Sequence, residues 1–254
     1  MDYLSVAEAQ SLPGLRLALT AGVPAPYSMS ARAILDLHGV PYVPVEQQGG
    51  GSNEALVAWT GHRNAPVAVY ENEAPRTGWL EILNLAERLG SGPSLFPDEL
   101  GDRMAMVGLV DAMIGEGGML WHMRIIMLGL GGPERAAKEA ERNPMYKDYG
   151  YSEKNKATAM ASITPVVDAL EAQFQSQQSA GRQYLFGNRL SAADVYWVYF
   201  SQLFRTLPEE ICAMPSFLRK SYDMSGEAVG GCSEALIAHR DFVLQEHLSV
   251  PLTF

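Results

Sequence analysis

Residues 15–45 read LRLALTAGVPAPYSMSARAILDLHGVPYVPV, and this stretch decides the fold. Leu15, Leu17 and Leu19 alternate with Arg16, Ala18 and Thr20, which predicts a strand over 15–20. Pro24 and Pro26 hold off a helix until after Pro26, a residue suited to a first helical turn. Residues 28–38 then read as a helix, with Ala31, Ile34, Leu35 and His38 along one side. Gly39 ends it. Residues 40–45 form a second strand, and Pro41 and Pro44 place it at a sheet edge.

Working outward, the glycines of 47–53 predict a mobile loop and 55–59 a short helix. A third strand covers 65–70 and opens with an X-Pro bond. A turn at 71–75 leaves room for a short fourth strand. Residues 78–89 are amphipathic, with Leu80, Leu83 and Leu85 set against Glu81, Glu87 and Arg88. The breakers of 91–97 mark a linker. Beyond it the pattern is helical: 98–130, interrupted by Gly115, Gly117 and Gly118; 152–178, kinked at Pro165; 191–207; and one or two helices in 225–248. The expected organisation is an α/β domain over 1–90, built βαβ–ββα, the linker, and an all-α domain over 98–254.

At 254 residues, with 47% hydrophobic and 19% charged residues, the chain has the balance of a globular protein. Its formal net charge of −10, without a basic cluster, argues against nucleic acid as partner. Residues 1–13 show no basic, then apolar, leader, and the apolar runs are interrupted before 18 residues. The expectation is a cytoplasmic protein with no membrane partner. Cys212 and Cys232 are too few for a disulfide framework and read as reduced, buried thiols. The five histidines show no metal-ligand spacing, so no metal is expected.

Three motifs carry a resemblance. Ala25-Pro26-Tyr27-Ser28-Met29-Ser30-Ala31-Arg32 leads to Leu37-His38-Gly39-Val40-Pro41-Tyr42. Asn64-Ala65-Pro66-Val67-Ala68-Val69 forms a proline-led strand. Gly187-Asn188-Arg189-Leu190-Ser191-Ala192-Ala193-Asp194 reads as a turn and helix start. There Ser191 and Asp194 form a capping box, with Asp in place of the usual Glu or Gln. Together, over roughly residues 14–247, these stretches resemble the cytosolic glutathione transferase superfamily. The resemblance implies a thioredoxin-like N-terminal domain, an all-α C-terminal domain, glutathione as cofactor and a dimer. The dimer would join identical chains or a related subunit. The implied reaction is attack on a small hydrophobic electrophile: conjugation, ether or halide displacement, or isomerisation. A non-catalytic glutathione-transferase-like binding protein is the alternative.

The resemblance also implies site residues. A cis bond before Pro66 would present the Ala65 peptide to the glutathione backbone. The residue before Pro26 would activate the thiol, yet Ala25 has no donor. Ser28, Tyr27 and Ser30 in the first turn are the replacement candidates, in that order for the first two, together with backbone N–H groups at the helix start. Counting back from Leu85-Ala86-Glu87-Arg88, the γ-glutamyl carboxylate site falls on Thr77 and Gly78, with Arg76 as an added cation. The methionine-rich segment around the glycine break, with Met113, Trp121, His122 and Arg124, is the candidate substrate pocket. His122 is a possible acid or base there.

Overall fold

The computed structural model describes all 254 residues. The chain divides into two compact units, Met1–Ser94 with Pro251–Phe254, and Leu95–Val250.

The first unit is built on a three-stranded sheet of order β2-β1-β3, formed by β1 (Leu15–Thr20), β2 (Tyr42–Gln47) and β3 (Val67–Tyr70). β1 pairs parallel with β2 and antiparallel with β3. All six residues of β1 are buried, as befits a central strand covered on both faces. The crossover between β1 and β2 is α2 (Pro26–Leu37), which packs on α4 (Trp79–Leu89). Alternation along β1 sends Ala18 to the opposite face, where it meets Val6, Ala9, Val45, Leu56, Val67 and Val69. These come in part from α1 (Val6–Ala9) and α3 (Glu54–Thr60).

Four readings of this unit change. α1 lies in a segment given no element, and its Ser5–Glu8 capping box is the overlooked signal. Leu4 covers part of the β2 edge, its N–H donating to the Pro44 carbonyl (3.0 Å) while its own carbonyl accepts from Glu46 N–H (2.9 Å). The fourth strand shrinks to one antiparallel bridge between Ala68 and Arg76. The glycine loop is pinned, because Asn53 accepts the Gln48 N–H (3.0 Å) and donates to the carbonyls of Gln48 (2.9 Å) and Arg63 (3.2 Å).

The second unit is all helical: α5 (Leu100–Ile114), α6 (Met119–Leu128), α7 (Pro133–Ala140), α8 (Met145–Asp148), α9 (Glu153–Ser179), α10 (Ala192–Phe200), a 3₁₀ turn at Ser201–Leu203, α11 (Ser216–Val229) and α12 (Glu234–His247). Every residue of α10 is buried, and α5 and α12 pack on it. The Trp197 indole N–H closes that contact on the Leu236 carbonyl at 2.9 Å. The α5–α6 break falls on the glycines. A Cβ at Gly115 would lie 2.6 Å from the Asp111 carbonyl oxygen, and Gly117 has φ +74°. α9 runs on through Pro165.

One exclusion needs correcting. By length and composition the run Leu100–Leu128 is apolar enough to cross a membrane, with mean hydropathy 1.2 over its best window. Interrupting polar residues had hidden this. In the fold 44% of that window is buried within the protein, and glycine splits the run into two helices.

Candidate functional site

The first unit gathers three features at the carboxyl end of β1. α2 starts there, after the loop that leaves Thr20. β3 approaches from the other side, and one step beyond the Ala18–Val67 pair sets Pro66 level with Leu19. Two steps beyond the Ala68–Arg76 bridge set Gly78, which begins α4, level with Pro66. The start of α2, the Ala65–Pro66 peptide and the start of α4 therefore lie at the same end of the sheet, where open α/β sheets bind ligands.

The Ala65–Pro66 bond is cis. Ala65 is half-buried, and neither its N–H nor its carbonyl finds a backbone partner in the chain. Ala25 is the N-cap of α2 and supplies no side-chain hydrogen bond, and Pro26 occupies the first helical position. The first turn of α2 thus lacks the acceptor that usually satisfies its N–H groups.

Two of the three thiol-activating candidates have other work. Ser28 is buried; its Oγ accepts the Thr20 N–H (3.0 Å) and donates to Thr20 Oγ1 (3.3 Å). Thr20 Oγ1 in turn donates to Gln47 Oε1 at 2.8 Å. The single Ser28 proton is thereby spent inside the fold, pinning α2 to the end of β1. Ser30, also buried, donates to the Tyr27 carbonyl at 3.1 Å. Both hydroxyls thus brace the start of α2. Tyr27 lies half-buried beside Pro26 at the helix start.

At Thr77 and Gly78, beside Arg76 in sequence, the backbone N–H groups are taken by a carboxylate of the chain itself. Glu81 Oε2 accepts from Gly78 N–H at 2.9 Å and from Thr77 N–H at 3.2 Å. Arg76 Nη2 contacts Glu73 Oε2, and Arg88 holds the same carboxylate at 2.7 Å. Arg88 first, and Arg76 second, keep the Glu73 carboxyl below its ordinary range. Arg76 Nη1 is buried without a hydrogen-bond partner. Sequence reasoning missed Glu81 and Glu73. The Gly78-to-Glu81 spacing, N-cap to third helical residue, was the available signal for the first.

The substrate-pocket residues separate. Met113 is 1% exposed and packs in the core of the helical unit. Trp121 and His122 line a cleft of about 380 Å³ with Glu116, Lys147, Asp148 and Tyr149. The Trp121 indole N–H donates to the Tyr149 carbonyl at 3.0 Å, and the two rings stand 4.6 Å apart. His122 Nδ1 is buried without a partner. Arg124 stays outside the cleft lining; its guanidinium lies 5.9 Å from the Tyr149 ring centroid and bonds the buried Tyr222 hydroxyl.

No protein-family model matches the chain, and no curated protein matches it. Solved structures do. A rice GST determined with glutathione is 19% identical, at TM-score 0.56, covering 94% of this chain and 93% of its own. A glutathione S-transferase from Xanthobacter autotrophicus is 16% identical, at TM-score 0.55, covering 93% and 96%. One from Methylobacterium radiotolerans, determined with glutathione sulfonate, is 16% identical, at TM-score 0.55, covering 89% and 93%. At such identities the likeness establishes the fold. The chain has the glutathione transferase fold, a thioredoxin-like unit followed by a helical one.

Proposed function

We propose that the chain is a glutathione-dependent transferase acting on a hydrophobic electrophile. The observation that carries the reading is the convergence of the unpaired Ala65 peptide and the uncapped start of α2 at one end of the sheet. Two of the similar structures were determined with glutathione or its sulfonate, which supports the same ligand here.

In this reading the Ala65 N–H and carbonyl pair with the cysteinyl backbone of the tripeptide. Glutathione's thiol, with a free pKa near about 8.5, supplies the nucleophile: its thiolate forms the new bond to sulfur as the leaving group departs with its electron pair. Ala25 offers that sulfur no proton donor. The first-turn N–H groups of α2 and the Tyr27 hydroxyl take over the stabilisation of negative charge. Arg76, Thr77 and Gly78 receive the γ-glutamyl carboxylate. Trp121 and His122 offer an aromatic wall and an imidazole to an apolar ligand.

Calorimetric titration with millimolar reduced glutathione, paired with thiol consumption against an activated aryl halide, tests this. Saturable heat and turnover are expected. Absence of both overturns the proposal. A second reading, a binding protein without turnover, is favoured by the missing hydroxyl at Ala25 and the committed Ser28 and Ser30. Retention on immobilised glutathione with no turnover of any electrophile would establish it.

The same reading includes a dimer of identical chains, or one with a related subunit. Leu100 and Met104, one turn apart on α5, are 69% and 68% exposed, which supports a covered face there. Sedimentation at twice the chain mass is expected, reverting to the single chain in Met104→Glu.

A further inference from the structure

The seat expected for a ligand carboxylate already holds one of the chain's own. Glu81 folds back over the start of α4 and takes the N–H groups of Thr77 and Gly78 on one oxygen. The residue before them in sequence, Arg76, keeps a donor with nothing to donate to. Arg76 Nη1 is buried and unpartnered while Nη2 is spent on Glu73. A buried donor without an acceptor is costly, and an incoming carboxylate would relieve it. Two amides and a guanidinium nitrogen are donors of the kind a carboxylate takes. The amides are filled from within, and the guanidinium nitrogen is left waiting.

We propose that Glu81 is an internal competitor for the γ-glutamyl carboxylate of glutathione and sets the chain's affinity for it. This rests on the reading that the chain binds glutathione. The ligand carboxylate and the Glu81 carboxylate need the same two N–H groups, so binding requires Glu81 to swing out. The apparent affinity falls in proportion to the fraction of molecules whose seat is open. A cap with a purely structural role would stabilise α4 and leave ligand affinity alone.

The test compares wild type, Glu81→Ala and Glu81→Gln by calorimetry with reduced glutathione, and with cysteinylglycine, which lacks the γ-glutamyl carboxylate. Glu81→Ala is expected to bind glutathione about tenfold more tightly, as for a seat open roughly a tenth of the time. Its melting temperature falls through loss of the cap. Glu81→Gln keeps a neutral acceptor for the helix start, so its melting temperature falls less than that of the alanine variant, and its affinity gain is smaller. Cysteinylglycine affinity stays unchanged in all three. If wild type binds glutathione and neither variant binds it more tightly, or if cysteinylglycine gains equally, the competitor role is overturned while the glutathione reading stands. If wild type and both variants bind no glutathione, both fall together.

Discussion

Replacing Ser28 by alanine removes the acceptor of the buried Thr20 N–H and breaks the relay to Gln47. An unsatisfied buried donor costs about 1–3 kcal/mol, so urea unfolding of Ser28→Ala should show a loss of that size. Turnover per folded molecule should survive, because the hydroxyl faces the fold and not the ligand. In Tyr27→Phe the thiolate absorbance of bound glutathione is expected to titrate at a higher pH, since a donor to the sulfur is gone. Ser28 and Tyr27, both named as thiol activators, are thus assigned different roles. Their neighbours in the fold, invisible along the chain, decide which is which. Burial acts on the cysteines in the same way and lifts both Cys212 and Cys232 from 9.0 to about 11. A raised thiol pKa in the folded state contributes stability that is complete below pH 9 and lost as pH climbs through about 11. Native protein at pH 8 should react slowly with a thiol-specific disulfide reagent and release two thiols on denaturation.

Elements with strong punctuation were legible. β1 alternates cleanly, α2 is bracketed by Pro26 and Gly39, and α10 carries its Ser191–Asp194 box. That box holds more than a helix end. Asp194 accepts from Ser191 N–H and Oγ at 2.8 and 2.6 Å, and from Leu185 N–H at 2.8 Å. His239 Nε2 lies 2.8 Å from Oδ1, the oxygen that also takes the Leu185 N–H, with both side chains buried. Asp194→Ala strands several buried groups at once and is expected to cost about 3–5 kcal/mol in denaturant titration. α7 and α8 escaped notice because each buries one residue, Ala136 and Tyr146, too little to leave a period in the sequence. α11 was cut short for a related reason. Its buried positions, from Tyr222 to Val229, lie in its second half, while Phe217 near its start is 70% exposed. The site was legible as a set of backbone features, proline, glycine and helix starts. It was less so as side chains, because the occupancy of a helix start depends on which rotamer a residue three places on adopts.

At the scale of the molecule, the chain leaves its first unit at Ser94 and rejoins it at Pro251, so its last four residues belong with its first ninety-four. Their hold is specific. Arg32, on α2, donates through Nη1 to the Thr253 carbonyl at 2.6 Å and to its hydroxyl at 2.9 Å, and Leu252 is 8% exposed. Sequence offered no sign of this, since a return contact separated by 221 residues leaves no local pattern. α2 is the helix whose start is proposed to face the thiol, so the tail braces the element that matters most to the chemistry. Burying a leucine side chain is worth about 1.5–3 kcal/mol, and the arginine contacts add to it. Deleting residues 251–254 should therefore raise amide exchange along α2 and leave α10, deep in the other unit, as protected as before. Arg32→Ala should reproduce a smaller part of the same change. Exchange measured by mass spectrometry on the two variants decides the matter, and equal loosening of α2 and α10 would mean that the tail supports the whole chain and not the first unit alone.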